Sequence, residues 1–301
     1  MIRASIPILP RKKRERRTCD CMIIYQSRFL TRGEVWFDHR PSAERVDWVI
    51  YHQRSQPGAK GNWRPFYTRV IELSQPTDSL LAQMDGFTAA DIRRARQKDN
   101  TLCQRIETTD QKALCEFADF YDRFASAKHL GPADRHWLER TAHAGKLDLW
   151  AADSPEGHRT AYHVFYSDPR RVRSLLAASF YAEASGKEAQ RKIGRANRLL
   201  IWESMLHYRI AGVEIFDLGG WYNGTTDRAL LGINKFKEGF GGKVVCEYEG
   251  EHLKTIKAWG AVVTARAFTK WNERKAHREE RSESRSTLSP VWNLRKQQPT
   301  S

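Results

Sequence analysis

The apolar run Phe216-Asp217-Leu218-Gly219-Gly220 ends in an acid and two glycines, and further on the chain reads Ile233-Asn234-Lys235-Phe236-Lys237-Glu238-Gly239-Phe240-Gly241-Gly242. Paired glycines at a strand end let another group come close to the backbone, and a lysine held between aromatics presents a fixed cation to growing negative charge. The pattern calls for a strand that opens onto a cleft lined by Gly219, Gly220, Trp221, Tyr222, Gly239 and Gly241. Trp221 and Tyr222 offer faces on which a base or sugar can stack. Taken singly, each piece has a plainer reading: a tight turn, packed aromatics, a solvated lysine.

A chain of 301 residues, 40% hydrophobic and 11% aromatic, can bury a core around such a strand. Its formal net charge of +15 favours a polyanionic partner: RNA, DNA, a nucleotide-linked sugar or an anionic membrane. Much of the excess lies at the ends, in Arg11–Arg17 and Lys270–Arg295, which lack the apolar content to offset ordering and are expected to be solvated tails. The opening residues carry Pro7 and Pro10 and do not read as a secretory signal, and no apolar run is long enough to span a bilayer. The expected location is the cytoplasm, with room for peripheral contact at the inner face of an anionic membrane. Five cysteines, with Cys19 and Cys21 the one close pair, make neither a disulfide framework nor a zinc motif, so no metal is expected.

Short apolar runs at Met22–Tyr25, Val35–Phe37, Trp48–Tyr51 and Tyr67–Leu73, separated by Pro41, Pro57-Gly58 and Gly61, predict strands. After Pro76 the pattern turns helical, with Thr88 and Asp91 spaced as a capping box and a basic face of Arg93, Arg94, Arg96 and Lys98. Helical spacing of Leu114, Phe117, Tyr121 and Phe124 and a second helix around Trp137 precede three strands, Leu147–Ala151, Ala161–Tyr166 and Val172–Phe180, the last two joined at Ser167–Arg170. A helix over Lys187–Ile210 then leads to a strand at Val213–Leu218, and Lys243–Tyr248 reads as another. Within these elements Asp217 could orient an amine, and Glu203 and His207 fall one helical turn apart.

The ordered set Leu73-Ser74, Met84, Ile92-Arg93-Arg94-Ala95, Asn197–Glu203, the strand ending in Gly219-Gly220 and the pair Phe236-Lys237 resembles the FemABX-type aminoacyl transferases, whose domains have the GNAT acyltransferase fold. The resemblance implies an α/β (α+β) protein with a GNAT-like mixed central sheet flanked by helices. A basic tail (1–20) and a shortened, partly related N-terminal unit (21–107) would precede the GNAT-like domain (108–255), with a C-terminal helix and basic tail (256–301) after it. It implies that Phe236 and Lys237 meet the acyl end of an aminoacyl-tRNA, Lys237 stabilising the oxyanion, and that the acceptor is an amine of a cell-envelope precursor in peptidoglycan or polysaccharide synthesis. No cofactor is expected to be tightly bound; the co-substrate is aminoacyl-tRNA or acyl-CoA. The CoA alternative comes from Arg191-Lys192-Ile193-Gly194-Arg195-Ala196, which fits the pyrophosphate loop of GNAT acetyltransferases and places Gly194, Arg195, Ala196 and Asn197 at the donor. A more distant alternative is a non-catalytic nucleic-acid-binding protein held by its basic segments.

Overall fold

The structure, a computed structural model, describes residues 22–42, 44–182 and 184–264. The expectations for the 1–20 tail, for Cys19 and Cys21, and for residues beyond 264 lie outside the described residues. The predicted N-terminal strands form as β1 (Met22–Ser27), β2 (Leu30–Trp36), β3 (Trp48–Arg54) and β4 (Asn62–Glu72). There follow α1 (Thr77–Ala82), α2 (Gly86–Gln97), β5 (Leu102–Ile106), α3 (Gln111–Ala127), α4 (Arg135–His143), β6 (Leu147–Asp153), β7 (Arg159–Ser167) and β8 (Arg171–Ser179). The chain continues through α5 (Lys187–Ile210), β9 (Ile215–Gly220), α6 (Arg228–Glu238) and β10 (Lys243–Leu253), and a further helical run occupies 256–264.

All ten strands join one sheet in the order β1-β2-β3-β10-β4-β9-β8-β7-β6-β5. The pairs β2/β3 and β8/β9 are parallel and the rest antiparallel, so the sheet is mixed. The sequence cannot show that β10 slots between β3 and β4, because strand pairing is decided by contacts far apart in the chain. This insertion ties the expected 21–107 unit to the expected 108–255 domain. The expected border also falls just after β5, which pairs with β6 across it.

Every residue of β6 is buried because helices cover both faces there: α5 packs on one side, α3 and α4 on the other. The α5 helix buries Leu199, Leu200, Trp202, Met205 and Tyr208 against Phe165, Val172 and Phe216. Ile210, the last residue of the helix, is exposed. The expected capping box is corrected: α2 starts at Gly86, and the Asp85 carboxylate accepts the Thr88 N–H at 2.5 Å. Thr88 itself is buried in the first turn. The same capping logic, an aspartate just ahead of the first turn, sets the starts of α3 (Asp110), α4 (Asp134) and α6 (Asp227).

Phe216 is fully buried between Phe165 and Tyr208, with ring centroids 5.5 and 6.1 Å away. Truncation to alanine leaves a cavity beneath α5, so Phe216→Ala should lower unfolding free energy by about 3–5 kcal/mol in urea denaturation.

Candidate active site

The site is built where β8 and β9 part. These parallel strands pair only over Arg171–Arg173 with Ile215–Asp217; beyond that point β8 stays paired with β7 alone and β9 with β4 alone. Both strands carry an irregularity at the split. In β8 one extra residue lies between the partners of Val164 and Phe165, and in β9 one lies between the partners of Thr68 and Val70. Bulges of this kind re-aim a strand next to a functional site. Gly219 has φ +77°, and a Cβ there would stand 2.6 Å from the Ser174 carbonyl oxygen, so only glycine fits. The result is a wedge between two strand ends.

Asp217 fixes the apex of this wedge. Its Oδ1 accepts the Gly219 N–H at 2.7 Å and the Thr68 hydroxyl, while Oδ2 accepts from Arg171 Nη2 at 2.5 Å and Gln53 Nε2 at 2.7 Å. Arg171 also donates to both oxygens of Glu247, at 2.6 and 2.8 Å, and Gln53 donates to Glu247 Oε2 at 3.1 Å. Gln53 reaches both carboxylates from a left-handed backbone, φ +52°, where β3 carries one more residue than β10. Burial pushes the Asp217 carboxyl up, but Arg171, Arg173 and the Thr68 hydroxyl outweigh it and hold it below its ordinary value. The expectation that Asp217 orients an amine is therefore corrected: fully buried and with both oxygens engaged, it shapes the backbone and has no free lone pair facing the cleft.

Lys237 stands at the mouth of the wedge. It lies on the last turn of α6, just ahead of Gly239, and its Nζ donates to the Gly220 carbonyl. That Nζ is 4.0 Å from the place a Cβ would take on Gly219. Burial lowers its pKa from the ordinary 10.5 to about 8, with the nearby Arg173 adding and the Asp217 charge opposing. Asn234, one turn earlier and buried, clamps the following loop by accepting the Tyr222 N–H at 3.1 Å and donating to the Tyr222 carbonyl at 2.7 Å. Trp221 is pinned beside it, its N–H bonded to the Tyr67 carbonyl at 2.7 Å and its ring under the Arg69 guanidinium.

The remaining expected site residues divide. Gly219, Gly220, Trp221 and Lys237 come together, and Phe236 lies one residue away, packed edge-on against Phe240 at 5.5 Å with Arg198 over its ring at 4.9 Å. Gly239 and Gly241 do not line the cleft: they seat the α6–β10 turn on the α1–α2 segment, the Gly239 carbonyl accepting the Asp85 N–H at 3.0 Å and a Gly241 Cβ standing 2.8 Å from the Gln83 carbonyl. The expected pyrophosphate loop is corrected as well. The α5 helix begins at Lys187, so Gly194 is in its interior, where backbone N–H groups are already bonded to the preceding turn. Arg195 is buried against Asp99 (2.6 Å) and Glu188 (2.9 Å), Ala196 is in the core, and Asn197 accepts from buried His163 at 2.6 Å. Glu203 pairs with Arg96 at 2.5 Å and His207 meets the Trp150 ring edge-on, both away from Lys237.

Sequence reasoning missed Gln53, Thr68, Arg171, Glu247, Arg173 and Asn234. The two-residue spacing of Arg171 and Arg173 on a largely apolar strand was the one available signal, since residues i and i+2 share a face. Among the described residues no group of three or more His, Cys, Asp or Glu is placed to hold a metal ion, and no helix is long and apolar enough to cross a membrane.

No family model and no curated protein matches the sequence. Among solved structures, FemX superposes on 76% of this chain and 83% of its own with a TM-score of 0.55 at 12% identity. L-PGS from Bacillus licheniformis covers 78% of this chain and 82% of its own at 13% identity, with a TM-score of 0.48. The chain has the FemABX-type, GNAT-like fold, as the resemblance implied, with a large mixed sheet flanked by helices.

Two measurements check the site. Lys237, observed by NMR of its side-chain nitrogen, should titrate near pH 8, and Asp217→Asn should lower that midpoint further because a charge favouring the ammonium is gone. Arg171→Met leaves Asp217 and Glu247 buried without their cation, and should cost about 3–5 kcal/mol of stability by chemical denaturation.

Proposed function

We propose that this chain is an acyltransferase of the Fem type that moves an activated acyl group, an aminoacyl group in the leading form, onto an amine of a cell-envelope precursor. The observation that carries the reading is Lys237 held at the mouth of the β8/β9 wedge within a FemX-like fold. In such a transfer the neutral amine nitrogen attacks the acyl carbon and a C–N bond forms. The carbonyl oxygen takes negative charge, which the Lys237 ammonium faces. The intermediate then collapses, the C–O bond of an ester donor or the C–S bond of a thioester breaks, and the leaving oxygen or sulfur departs with a proton. The amine gives up its protons to solvent and to the leaving group, so an ammonium and an ester yield an amide, an alcohol and one proton.

The placement of Gly194 inside α5 speaks for an aminoacyl-tRNA donor over acetyl-CoA, since a pyrophosphate needs free N–H groups at a helix start. Donor choice is tested by titrating the protein with charged tRNA, uncharged tRNA and acetyl-CoA, alongside Gly194→Glu. Preference for charged tRNA, unaffected by Gly194→Glu, is expected; acetyl-CoA binding abolished by that change would make CoA the donor.

Lys237→Ala should reduce turnover about 10²–10³-fold with an unchanged melting temperature. Turnover within twofold of the parent would remove Lys237 from the chemistry.

A further inference from the structure

Along α6 only Asn234 is buried, and the first two turns leave Leu230, Leu231 and Ile233 exposed. Ile233 is one turn ahead of Phe236 and Lys237, and Leu230 one turn ahead of Ile233, so this apolar stripe runs up to the mouth of the wedge. Phe87, at the start of α2, lies across from it: the Arg198 guanidinium stands 5.2 Å from the Phe87 ring and 4.9 Å from that of Phe236. Tyr181 extends the surface, since a Cβ on Gly194 would be 3.9 Å from its ring and 3.7 Å from Arg198 Nη1. Phe87, Tyr181, Leu230 and Ile233, with Leu231 beside them, are between 36% and 66% exposed, and water is a poor neighbour for so much clustered apolar area.

The surroundings of the patch are basic. Arg228 and Lys235 on α6, Arg94 two turns along α2 from Phe87, and Arg191 one turn ahead of Gly194 on α5 are all exposed. The acids nearby are engaged within the fold. Asp85 and Asp227 accept the N–H groups that open α2 and α6, Asp91 lies 3.4 Å from Arg198 and Glu188 2.9 Å from Arg195, and Glu238 is in the field of Arg69. What faces outward is therefore apolar side chains ringed by cations. A nucleic acid would satisfy the cations but leave the aliphatic groups without a use, because leucine and isoleucine offer no ring on which a base stacks. An anionic bilayer satisfies both, the headgroups meeting the cations and the acyl boundary the apolar groups.

We propose that this face, Phe87 and Tyr181 together with the first two turns of α6, docks on an anionic lipid bilayer. Phe87, Leu230 and Ile233 enter the acyl boundary while Arg94, Arg191, Arg228 and Lys235 meet lipid phosphates. Because the stripe ends at Lys237, docking brings the mouth of the wedge to the bilayer surface. The proposal stands on the exposed patch and its charge and does not depend on the acyl-transfer reading above.

The test is co-sedimentation of the full chain with vesicles of phosphatidylcholine alone and of phosphatidylcholine mixed with phosphatidylglycerol, at low and at high salt. The parent should partition onto the mixed vesicles about tenfold or more strongly than onto the neutral ones, and part of that binding should survive high salt, which screens charge but not apolar contact. A triple variant, Phe87→Ser, Leu230→Ser and Ile233→Ser, should bind the mixed vesicles about tenfold or more weakly at high salt, with an unchanged melting temperature showing that the fold is intact. Failure of the parent to bind the mixed vesicles overturns the proposal. So does high-salt binding by the triple variant within about twofold of the parent, the result if the basic terminal segments alone hold the lipid. Self-association or tRNA binding that the triple variant loses while keeping its hold on the vesicles would assign the patch to a second copy or to RNA, and overturns it as well. Turnover is not measured and Lys237 is untouched, so these outcomes are separate from any result for Lys237→Ala.

Discussion

Five neighbouring strands, β3, β10, β4, β9 and β8, each contribute one polar side chain to a single buried cluster: Gln53, Glu247, Thr68, Asp217 and Arg171. A carboxylate taken out of water is costly unless its charge and lone pairs are matched. Here the matching requires all five strands in the observed order and register, because a slip of one residue would turn each of these side chains to the opposite face. The cluster therefore specifies the pairing of β10 between β3 and β4, which apolar packing alone specifies weakly.

The same cluster connects fold to site. Asp217 draws in the Gly219 N–H, Gly219 adopts its left-handed conformation, and the carbonyl of Gly220 is turned toward α6, where it receives Lys237. The lysine is thereby held half out of water, which is why its proton affinity falls toward the working range of a cell. A surface lysine would stay fully protonated and would be too mobile to face one oxygen atom. The position of Lys237 descends from a carboxylate that never touches solvent, and burial at that position, against the pull of the same charge, lowers its proton affinity.

The basic character of the chain plays a different part from the one its total suggests. Within the described residues many arginines are consumed by structure: Arg171 and Arg195 are buried in ion pairs, Arg173 and Arg198 lie against aromatic rings, and Arg69 bonds the Gly241 and Gly242 carbonyls. A planar, permanently charged group with several donors suits such positions better than lysine does. Net charge was a poor guide to which of these residues meet a partner.

Local pattern in the sequence determined most of the elements: the 3.6-residue stripe of α5, the strands β6 to β8 and their hairpin, and the glycines at Gly219 and Gly220 that mark the end of β9. These depend on residues near one another in the chain, so spacing reveals them. It also singled out Lys237 through the company it keeps. Only the tertiary structure decided that Lys237 is helical, that Asp217 is a buried support, that Gly194 is enclosed in α5, and that Gln53, Thr68, Arg171 and Glu247 belong to the site at all. Those outcomes depend on pairing between residues up to 194 positions apart, as in Gln53 with Glu247. Such pairing follows from burial and from charge matching across a sheet, neither of which leaves a periodic trace along the chain.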